Sequence, residues 1–341
     1  MAETKVYRAA IIGCGRPGGK AGATGAGISH AHANAYKQLP NVELVALADI
    51  VQENAEAFRE MHGGDAIFTD YHEMIAEVRP DIVSICTWPA LHEPMVIACA
   101  AAGVPMTLSE KPMSPTWAAA KRMQAAAEDA GTIVCFNHQR RFDAPYVRLR
   151  ELLRDGRLGA LKRMEFQTDN LFDWGTHWFD MMHFFNEETP ATSILCGSDP
   201  TGGPSYFGVT MEGAGVTTVL FGNGVRAVML TGNGTEWGAQ IRVWGELGVA
   251  EIGATGWDSL RWWAPGQSDW VTETFTEKPD AFAAAVANMI EGFETGAEPE
   301  LSIHKSIRAT ELVFGAYESA RTSRKLELPL TAEDVAIRFE A

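Results

Sequence analysis

The chain has 341 residues, of which 46% are hydrophobic and 21% are charged, and its formal net charge is −16. This composition is typical of a globular protein, the length favours two domains, and the negative charge argues against a nucleic-acid partner. The sequence shows neither an apolar run of about 18 residues nor a leader pattern, so we expect a cytoplasmic protein that does not enter a membrane. The five cysteines form no C-x-x-C pair, which favours buried reduced thiols over disulfides or a metal site.

The first 140 residues alternate short apolar runs with helical patterns, which predicts βαβ units and a doubly wound parallel sheet. The apolar runs are nearly continuous, as strands buried on both faces require. The predicted strands are Val6–Ile12, Leu44–Ala48, Ile82–Cys86, Met106–Leu108 and Ile133–Phe136. The predicted helices are His30–Gln38, Gln52–Met61, Glu93–Ala102 and Pro115–Ala130.

The pattern changes near Asn137, and most of the later segments alternate with a period of two. They predict an α+β domain with a large, mainly antiparallel, open-faced sheet, in which Gly222-Asn223-Gly224 forms a hairpin turn. The predicted strands are Lys162–Thr168, Ser193–Leu195, Gly215–Phe221, Val225–Leu230, Ala239–Trp244 and Val249–Ile252, and the predicted helices are Ala144–Arg154, His177–Phe185, Asp280–Thr295 and Ile303–Ser323. We therefore expect a Rossmann domain at residues 1–140 and a substrate-binding and oligomerisation domain at 141–341, with its last helices available to pack on the first domain.

A G-x-G-x-x-G run, Gly13-Cys14-Gly15-Arg16-Pro17-Gly18, directly follows the first predicted strand. In that position it predicts a dinucleotide site, because the glycines allow a tight turn and the next helix N-terminus attracts pyrophosphate. Gly13, Gly15, Arg16 and Pro17 are the predicted contacts; the alternative is a flexible turn. A glycine-rich tract at residues 19–28 separates this turn from the helix, and we interpret it as an insertion that covers the pyrophosphate.

Asp49 ends the second predicted strand. A carboxylate there accepts hydrogen bonds from the ribose hydroxyls and repels a 2′-phosphate, so it predicts NAD in preference to NADP. Its distance from the glycine run exceeds the usual ~20 residues, but removing the insertion largely restores that spacing. The alternative is a solvated aspartate at a strand end.

Two more motifs follow predicted strands. Thr87-Trp88-Pro89, with His92 three residues later, follows Ile82–Cys86, and Glu110-Lys111-Pro112 follows Met106–Leu108. Open parallel sheets bind ligands at the carboxyl ends of their strands. We therefore predict that Thr87, Trp88, His92, Glu110 and Lys111 contact the cofactor.

The set of motifs resembles the Gfo/Idh/MocA oxidoreductase family over nearly the whole chain. The matching pieces are Gly13–Arg16, His32-Ala33-Asn34-Ala35-Tyr36, Ala48-Asp49, Thr87–His92, Glu110-Lys111-Pro112, Asn137–Phe142 and Gly175–Asp180. This resemblance implies a Rossmann domain and a large open-faced sheet domain, with the substrate bound between them. The insertion at 19–28 is the main departure and puts individual phosphate contacts in doubt.

The resemblance also implies roles for the site residues. Lys111 is expected to hydrogen-bond the reacting oxygen, and Glu110 and Asn137 to contact the cofactor. In the family's dehydrogenases an Asp and a His four residues later complete the site, and Asp173 and His177 have that spacing.

The residue types agree with that assignment. Oxidation of an alcohol needs a base for the hydroxyl proton, and histidine ordinarily titrates near neutrality. Asp173 and Asp180 can both share a helix face with His177, one to orient its ring and the other to bind a substrate hydroxyl. The alternative interpretation is that His177 is a structural histidine and that Lys111 is an ordinary surface lysine.

Aromatic and basic residues complete the predicted substrate site. We expect Trp88 and Trp174 to face the ligand, because ring faces stack on sugars, and the other tryptophans to fill the core or an interface. One of Arg140 and Arg141 is expected to bind substrate or cofactor, and the other a structural carboxylate. The predicted substrate contacts are Lys111, Arg140, Asp173, Trp174 and His177, without a metal.

These observations predict an NAD-dependent oxidoreductase that transfers a hydride between nicotinamide and a sugar, cyclitol or polyol. We expect a homodimer or homotetramer assembled through the C-terminal sheet. Two alternatives stay open: a relative that keeps NAD bound and uses transient oxidation to cleave or epimerise a glycoside, and a non-catalytic sensor of NAD and sugar.

Overall fold

The computed structural model describes residues 5–15, 27–232, 238–256, 258–276 and 280–337. Two predicted cofactor contacts, Arg16 and Pro17, lie outside these ranges, as does nearly all of the glycine-rich tract. The described residues form two compact units. The first contains residues 5–15, 27–114, 119–139 and 280–306, and the second contains 115–118, 140–232, 238–256, 258–276 and 307–337.

The N-terminal part of the chain alternates strands and helices. Its strands are β1 (Tyr7–Ile12), β2 (Val42–Ala48), β3 (Ala66–Phe68), β4 (Ile82–Ile85), β5 (Met106–Ser109) and β6 (Ile133–Phe136). Its helices are α1 (Ser29–Gln38), α2 (Gln52–His62), α3 (Tyr71–Val78), α4 (Pro89–Ala101) and α5 (Trp117–Ala130).

The six strands form one parallel sheet in the order β3-β2-β1-β4-β5-β6. This is the predicted doubly wound Rossmann sheet, and every residue of β4 and β5 is buried, as helices on both faces require. The sequence did not predict β3 or α3, because three residues are too short for a recognisable strand pattern. Helix α4 begins at Pro89, four residues before the predicted start, with proline in the first turn, where its missing N–H costs no hydrogen bond.

The rest of the chain is built mainly of strands. Its elements are α6 (Ala144–Arg154), β7 (Leu161–Thr168), α7 (Gly175–Phe185), β8 (Ala191–Asp199), β9 (Ser205–Tyr206), β10 (Val209–Thr210), β11 (Ala214–Phe221), β12 (Arg226–Gly232), β13 (Ile241–Gly245), β14 (Val249–Ile252), β15 (Ser259–Trp263), β16 (Val271–Thr274), α8 (Ala281–Thr295), α9 (Ile303–Thr322) and β17 (Leu326–Glu327). Helix α8 packs on α1 within the first unit.

The second unit contains a nine-stranded sheet in the order β16-β15-β14-β13-β7-β12-β11-β8-β17. Strands β7 and β12 run parallel, and all the other neighbours are antiparallel. The predicted hairpin between β11 and β12 is confirmed. All eleven residues of α7 are buried, so the helix lies within the core of this unit. Among the described residues, no helix is both long and apolar enough to cross a membrane.

Acid should destabilise the second unit through His183 of α7. Burial lowers the pKa of His183 to about 4, and its ring packs edge-on against Phe221 at 5.5 Å; Asp180, Arg141 and Arg308 are the charged groups that act on it. The unfolded chain takes up this proton near pH 6.5, whereas the folded chain does so near pH 4. Stability should therefore fall as the pH drops through that window, by at most about 3 kcal/mol.

Urea unfolding of the full chain between pH 7.5 and about pH 4, followed by circular dichroism, measures this effect. His183→Gln should reduce the loss of stability in acid, whereas His72→Gln, at an exposed histidine, should not. An equal loss in the His183→Gln variant would show that other groups cause the acid sensitivity.

Candidate active site

A pocket in the first unit opens at the carboxyl ends of β1, β2 and β4. Four of the predicted cofactor contacts line it: Gly13, Asp49, Thr87 and Trp88. The rest of its lining is Ile12, Ala48, Ile50, Thr69, Tyr71, Cys86, Leu91 and Met95. The lining is mainly apolar, with Trp88 38% exposed, and none of its described residues is a lysine or an arginine.

In the turn after β1, glycines present backbone atoms to this pocket without a side chain. Gly13 has a φ of +88°, and a Cβ added there would lie 2.8 Å from Cys86 O and 2.9 Å from Thr87 Cγ2. A side chain at this position is therefore excluded both by conformation and by space. Gly15 also lies in the left-handed region, with a φ of +68°. This turn fits the close backbone approach that a dinucleotide pyrophosphate requires.

Asp49 is bound more tightly than a solvated strand-end aspartate would be. Its Oδ2 accepts hydrogen bonds from the backbone N–H groups of Cys14 at 2.9 Å and Gly15 at 3.3 Å. Its Oδ1 accepts from Val51 N at 2.9 Å and Asn54 Nδ2 at 3.4 Å. These contacts tie the glycine turn to the end of β2, so Asp49 shapes the turn as well as lining the pocket. The sequence did not predict this second role.

Removing the Asp49 charge should weaken discrimination against NADP. Asp49→Asn removes the charge and keeps the shape and one of the two acceptor oxygens, so we expect the NADP/NAD ratio of kcat/KM to rise at least about tenfold, equivalent to about 1.4 kcal/mol. Asp49→Ala should raise the same ratio and should also weaken the binding of both cofactors, because Cys14 N and Gly15 N lose their acceptor. Kinetics with both cofactors test this, and an unchanged ratio in both variants would contradict the role of Asp49 in cofactor choice.

His92 is fully buried and is not part of the pocket lining. Its Nε2 lies 3.0 Å from Thr87 O, and its Nδ1 lies 3.1 Å from Pro112 O and 3.2 Å from Met113 O. His92 therefore connects the turn after β4 with the segment after Lys111. Direct contact between His92 and the cofactor stays a prediction.

Glu110, Lys111 and Asn137 lie together at the ends of β5 and β6. Glu110 Oε1 accepts hydrogen bonds from His32 Nε2 at 2.8 Å and Asn137 Nδ2 at 2.7 Å, and Oε2 accepts from Lys111 N at 3.3 Å. Burial opposes ionisation of Glu110, but its interaction with His32, the hydrogen bond from Asn137 and the Lys111 charge together outweigh burial and lower its pKa. Asn137 Oδ1 is buried without a hydrogen-bond partner among the described residues.

In the second unit, the segment before α7 positions Asp173. Asp173 N donates to Asn170 Oδ1 at 2.7 Å, and Gly175 N donates to Asn170 O at 2.8 Å. Leu171 N donates to Glu212 Oε1 at 2.6 Å, and Glu212 Oε2 accepts from Tyr317 Oη at 2.6 Å. Glu212 is completely buried, which raises its pKa. A clamp made of Glu212 and Tyr317 thus fixes the segment that carries Asp173.

The two aspartates near His177 in the sequence lie in different environments. Asp173 is partly buried, and His177, in the first turn of α7, is 3% exposed. Asp180 is 1% exposed, and both of its carboxylate oxygens accept hydrogen bonds from Arg141, at 2.8–3.1 Å. Both acceptor oxygens of Asp180 thus face a buried guanidinium, which favours Asp173 over Asp180 as the aspartate that binds a substrate hydroxyl. Arg141 is the arginine that binds a structural carboxylate.

Arg140 packs among aromatic rings of the second unit. Its guanidinium carbon lies 4.9 Å from the centroid of Trp178 and 5.6 Å from that of Trp174, and its Nη1 donates to Tyr146 Oη at 3.0 Å. Trp178 is a core residue, 1% exposed, whereas Trp174 is partly exposed. Substrate contacts of Arg140 and Trp174 stay predictions.

Comparison with known proteins places both parts of the chain. The model of the Gfo/Idh/MocA oxidoreductase family, NAD-binding Rossmann fold, matches residues 7–138, and the model of its C-terminal alpha/beta domain matches residues 162–328. An inositol 2-dehydrogenase from Paracoccus denitrificans is 37% identical over 39% of this chain and 40% of its own length. A D-apiose dehydrogenase from Paraburkholderia graminis is 26% identical over 98% of this chain and 93% of its own length. The chain thus spans only about two fifths of that inositol dehydrogenase, but nearly all of the apiose dehydrogenase.

Solved structures share the fold. The aldose-aldose oxidoreductase from Caulobacter crescentus, complexed with glycerol, superposes with a TM-score of 0.81 at 20% identity, over 95% of this chain and 100% of that one. The WlbA dehydrogenase from Bordetella pertussis, in complex with NADH and UDP-GlcNAcA, superposes with a TM-score of 0.77 at 21% identity, over 96% and 100% of the two chains. The two family models account for most of the chain, and the protein therefore belongs to the Gfo/Idh/MocA family of NAD-binding oxidoreductases.

Proposed function

We propose that this protein is an NAD-dependent dehydrogenase that acts on a hydroxyl group of a sugar, cyclitol or polyol, or on the corresponding keto group. The observation that carries this proposal is the carboxyl edge of the parallel sheet. There Lys111 follows a buried, ionised Glu110, on the strand next to those that form the dinucleotide pocket. Such an edge supplies both a cofactor site and a charged donor for a reacting oxygen.

The choice of NAD rests on the pocket that contains Asp49. A 2′-phosphate needs a cationic partner, and the part of this pocket's lining that the structure describes includes none. The residue after Asp49 is Ile50, which is 80% exposed and uncharged. A carboxylate in this position, with no cation among the described lining residues, favours NAD over NADP.

The chemistry divides between the cofactor and the chain. Bound NAD supplies the carbon that accepts or returns the hydride. The protein holds the substrate oxygen and moves its proton: Lys111 donates a hydrogen bond to that oxygen, and His177 accepts the proton. Asp173 binds a neighbouring hydroxyl or orients His177, while Trp174 and Arg140 complete the substrate contacts.

The substrate class rests on the relatives together with these residue types. The similar curated proteins act on inositol, D-apiose and D-glucosides, according to their names. Each of these substrates is a polyhydroxylated ring or a small sugar with several hydroxyl donors and acceptors. Asp173, His177 and Lys111 are side chains of the kind that bind such groups.

A screen of sugars, inositols and their keto forms with NAD(H) and NADP(H), monitored by NADH absorbance, tests the proposal. Turnover of one class with NAD supports it. Release of a sugar without added cofactor would instead support redox-assisted glycoside cleavage, and binding without any turnover would support a sensor.

We further propose a homodimer or homotetramer assembled through the nine-stranded sheet, in the cytoplasm. Exposed apolar side chains on adjacent strands β8 and β11 support the assembly: Leu195 is 46%, Val216 50% and Leu220 37% exposed. Five free buried thiols support a reducing compartment. Light scattering of the purified chain tests the assembly, and a monomeric mass would overturn it.

A further inference from the structure

A chain of buried polar groups connects helix α1 with Glu110. Tyr36 Oη lies 2.5 Å from Ser84 Oγ, and Ser84 Oγ lies 2.8 Å from His32 Nδ1. His32 Nε2 lies 2.8 Å from Glu110 Oε1. The proposed function gives no role to Tyr36, Ser84 or His32. The sequence offered one signal for them, because His32 and Tyr36 are four residues apart and share a helix face.

The chain of groups is closed to solvent. His32 and Ser84 are 0% exposed and Tyr36 is 1% exposed, and the ring of Phe282 packs edge-on against His32 at 5.4 Å. Buried polar atoms need partners inside the protein, since an unpaired donor costs about 1–3 kcal/mol. The protons of Tyr36, Ser84 and His32 must therefore be shared among these groups.

Counting the protons selects one arrangement. If Tyr36 donates to Ser84 and Ser84 donates to His32 Nδ1, then a neutral His32 donates from Nε2 to Glu110, and every proton has an acceptor. If His32 carried two ring protons, Nδ1 would donate to Ser84, whose own proton could go only to Tyr36. Either the Tyr36 proton or the Ser84 proton would then lack an acceptor among the described residues, because these two hydroxyls and His32 are joined only by the two contacts given above.

We propose that His32 is a positioning residue which, as the neutral Nε2–H tautomer, holds Glu110 as an oriented carboxylate beside Lys111. Ser84 fixes that tautomer by donating to His32 Nδ1, and Tyr36 donates in turn to Ser84. The hydrogen bond from Asn137 Nδ2 fixes Glu110 Oε1 from the other side. The consequence for turnover rests on the proposed function, but the protonation of His32 and Glu110 does not.

The other titratable groups around Glu110 leave its charge in place. They are Lys111 next to it, Cys86 after β4, His92 of α4 and His32 of α1. Burial raises the pKa of Cys86 well above its ordinary value and lowers that of His92. Both groups are therefore neutral near pH 7. Glu110 and Lys111 form an adjacent pair of opposite charges, which depends on the hydrogen bonds that keep Glu110 ionised.

The tautomer is tested directly by NMR of the full chain labelled with ¹⁵N-histidine, with the His32 signal assigned by its loss in His32→Gln. We expect the neutral Nε2–H form at pH 7. A doubly protonated ring, or the Nδ1–H tautomer, would overturn the proposal. This measurement requires no substrate, so its result stands whether or not the protein oxidises a sugar.

The positioning role is tested by pH profiles of NADH binding, followed by fluorescence, and of kcat/KM. His32→Leu removes the donor, so the acid limb of both profiles should move upward by about one pH unit. His32→Gln keeps an N–H donor, so its acid limb should move by less than half as much. Tyr36→Phe leaves Ser84 able to donate to His32, so its acid limb should move little. If His32→Leu still binds NADH and its profiles do not move, the positioning role is overturned. If His32→Leu does not fold, Tyr36→Phe decides instead. A normal pH profile in Tyr36→Phe, together with the expected His32 tautomer, supports the role, and a shifted profile opposes it.

Discussion

Replacing Lys111 with alanine should lower turnover about 10²–10⁴-fold while NAD⁺ still binds. This is the usual contribution of a positioned acid–base group. Lys111 is partly buried and follows Glu110, whose Oε2 accepts from the Lys111 backbone. Alanine keeps that backbone donor and removes only the ammonium, so the loss should appear in kcat more than in cofactor affinity.

Steady-state kinetics and an NADH fluorescence titration measure the two quantities. Lys37→Ala is the matched control, because Lys37 is an exposed lysine of the same unit, on α1. Turnover of Lys111→Ala within a few-fold of that control would show that Lys111 does not act on the reacting oxygen. A loss of NADH binding would instead assign Lys111 to the cofactor alone.

Replacing His177 with alanine should lower turnover by a similar factor of about 10²–10⁴. His177 is placed in the first turn of α7, and Asp173 lies four residues before it on a segment held by Asn170 and Glu212. If His177 accepts the proton, its loss should also flatten the acid limb of kcat against pH. Asp173→Asn should give a smaller loss and keep that limb.

His183→Gln is the matched control for this prediction, because His183 is a buried histidine six residues further along the same helix. At pH 7.5 it should keep most of the wild-type turnover. If both Lys111→Ala and His177→Ala retain near-wild-type turnover, the proposed proton-transfer mechanism is wrong, even though the family assignment stands.

Local patterns were sufficient to predict five of the six strands of the parallel sheet and the motifs that follow them. A strand followed by glycines, or by Glu110-Lys111, is visible within about ten residues, and the parallel sheet then determines that these ends share one edge. The Rossmann sheet and the mainly antiparallel second sheet were predicted for this reason.

Contacts across long sequence separations were not predictable in this way. Helical spacing correctly placed Asp180 near His177, but the partner that takes its carboxylate, Arg141, is 39 residues away. His32 and Glu110 are 78 residues apart, and no local pattern pairs a residue of α1 with one after β5. Asp49 was predicted as a ribose ligand, but its hydrogen bonds to the glycine turn depend on how β1 and β2 are aligned.

The clamp formed by Glu212 and Tyr317 matters for anyone who redesigns this protein for a new substrate. A library confined to residues 170–177 would leave untouched the two side chains that determine where that segment lies. Tyr317 belongs to α9 and lies 105 residues from Glu212 in the sequence, so a library chosen from the local sequence alone would miss it. Second-round libraries should therefore vary positions 212 and 317 together, because changing one alone removes the hydrogen-bond partner of the other, which is buried.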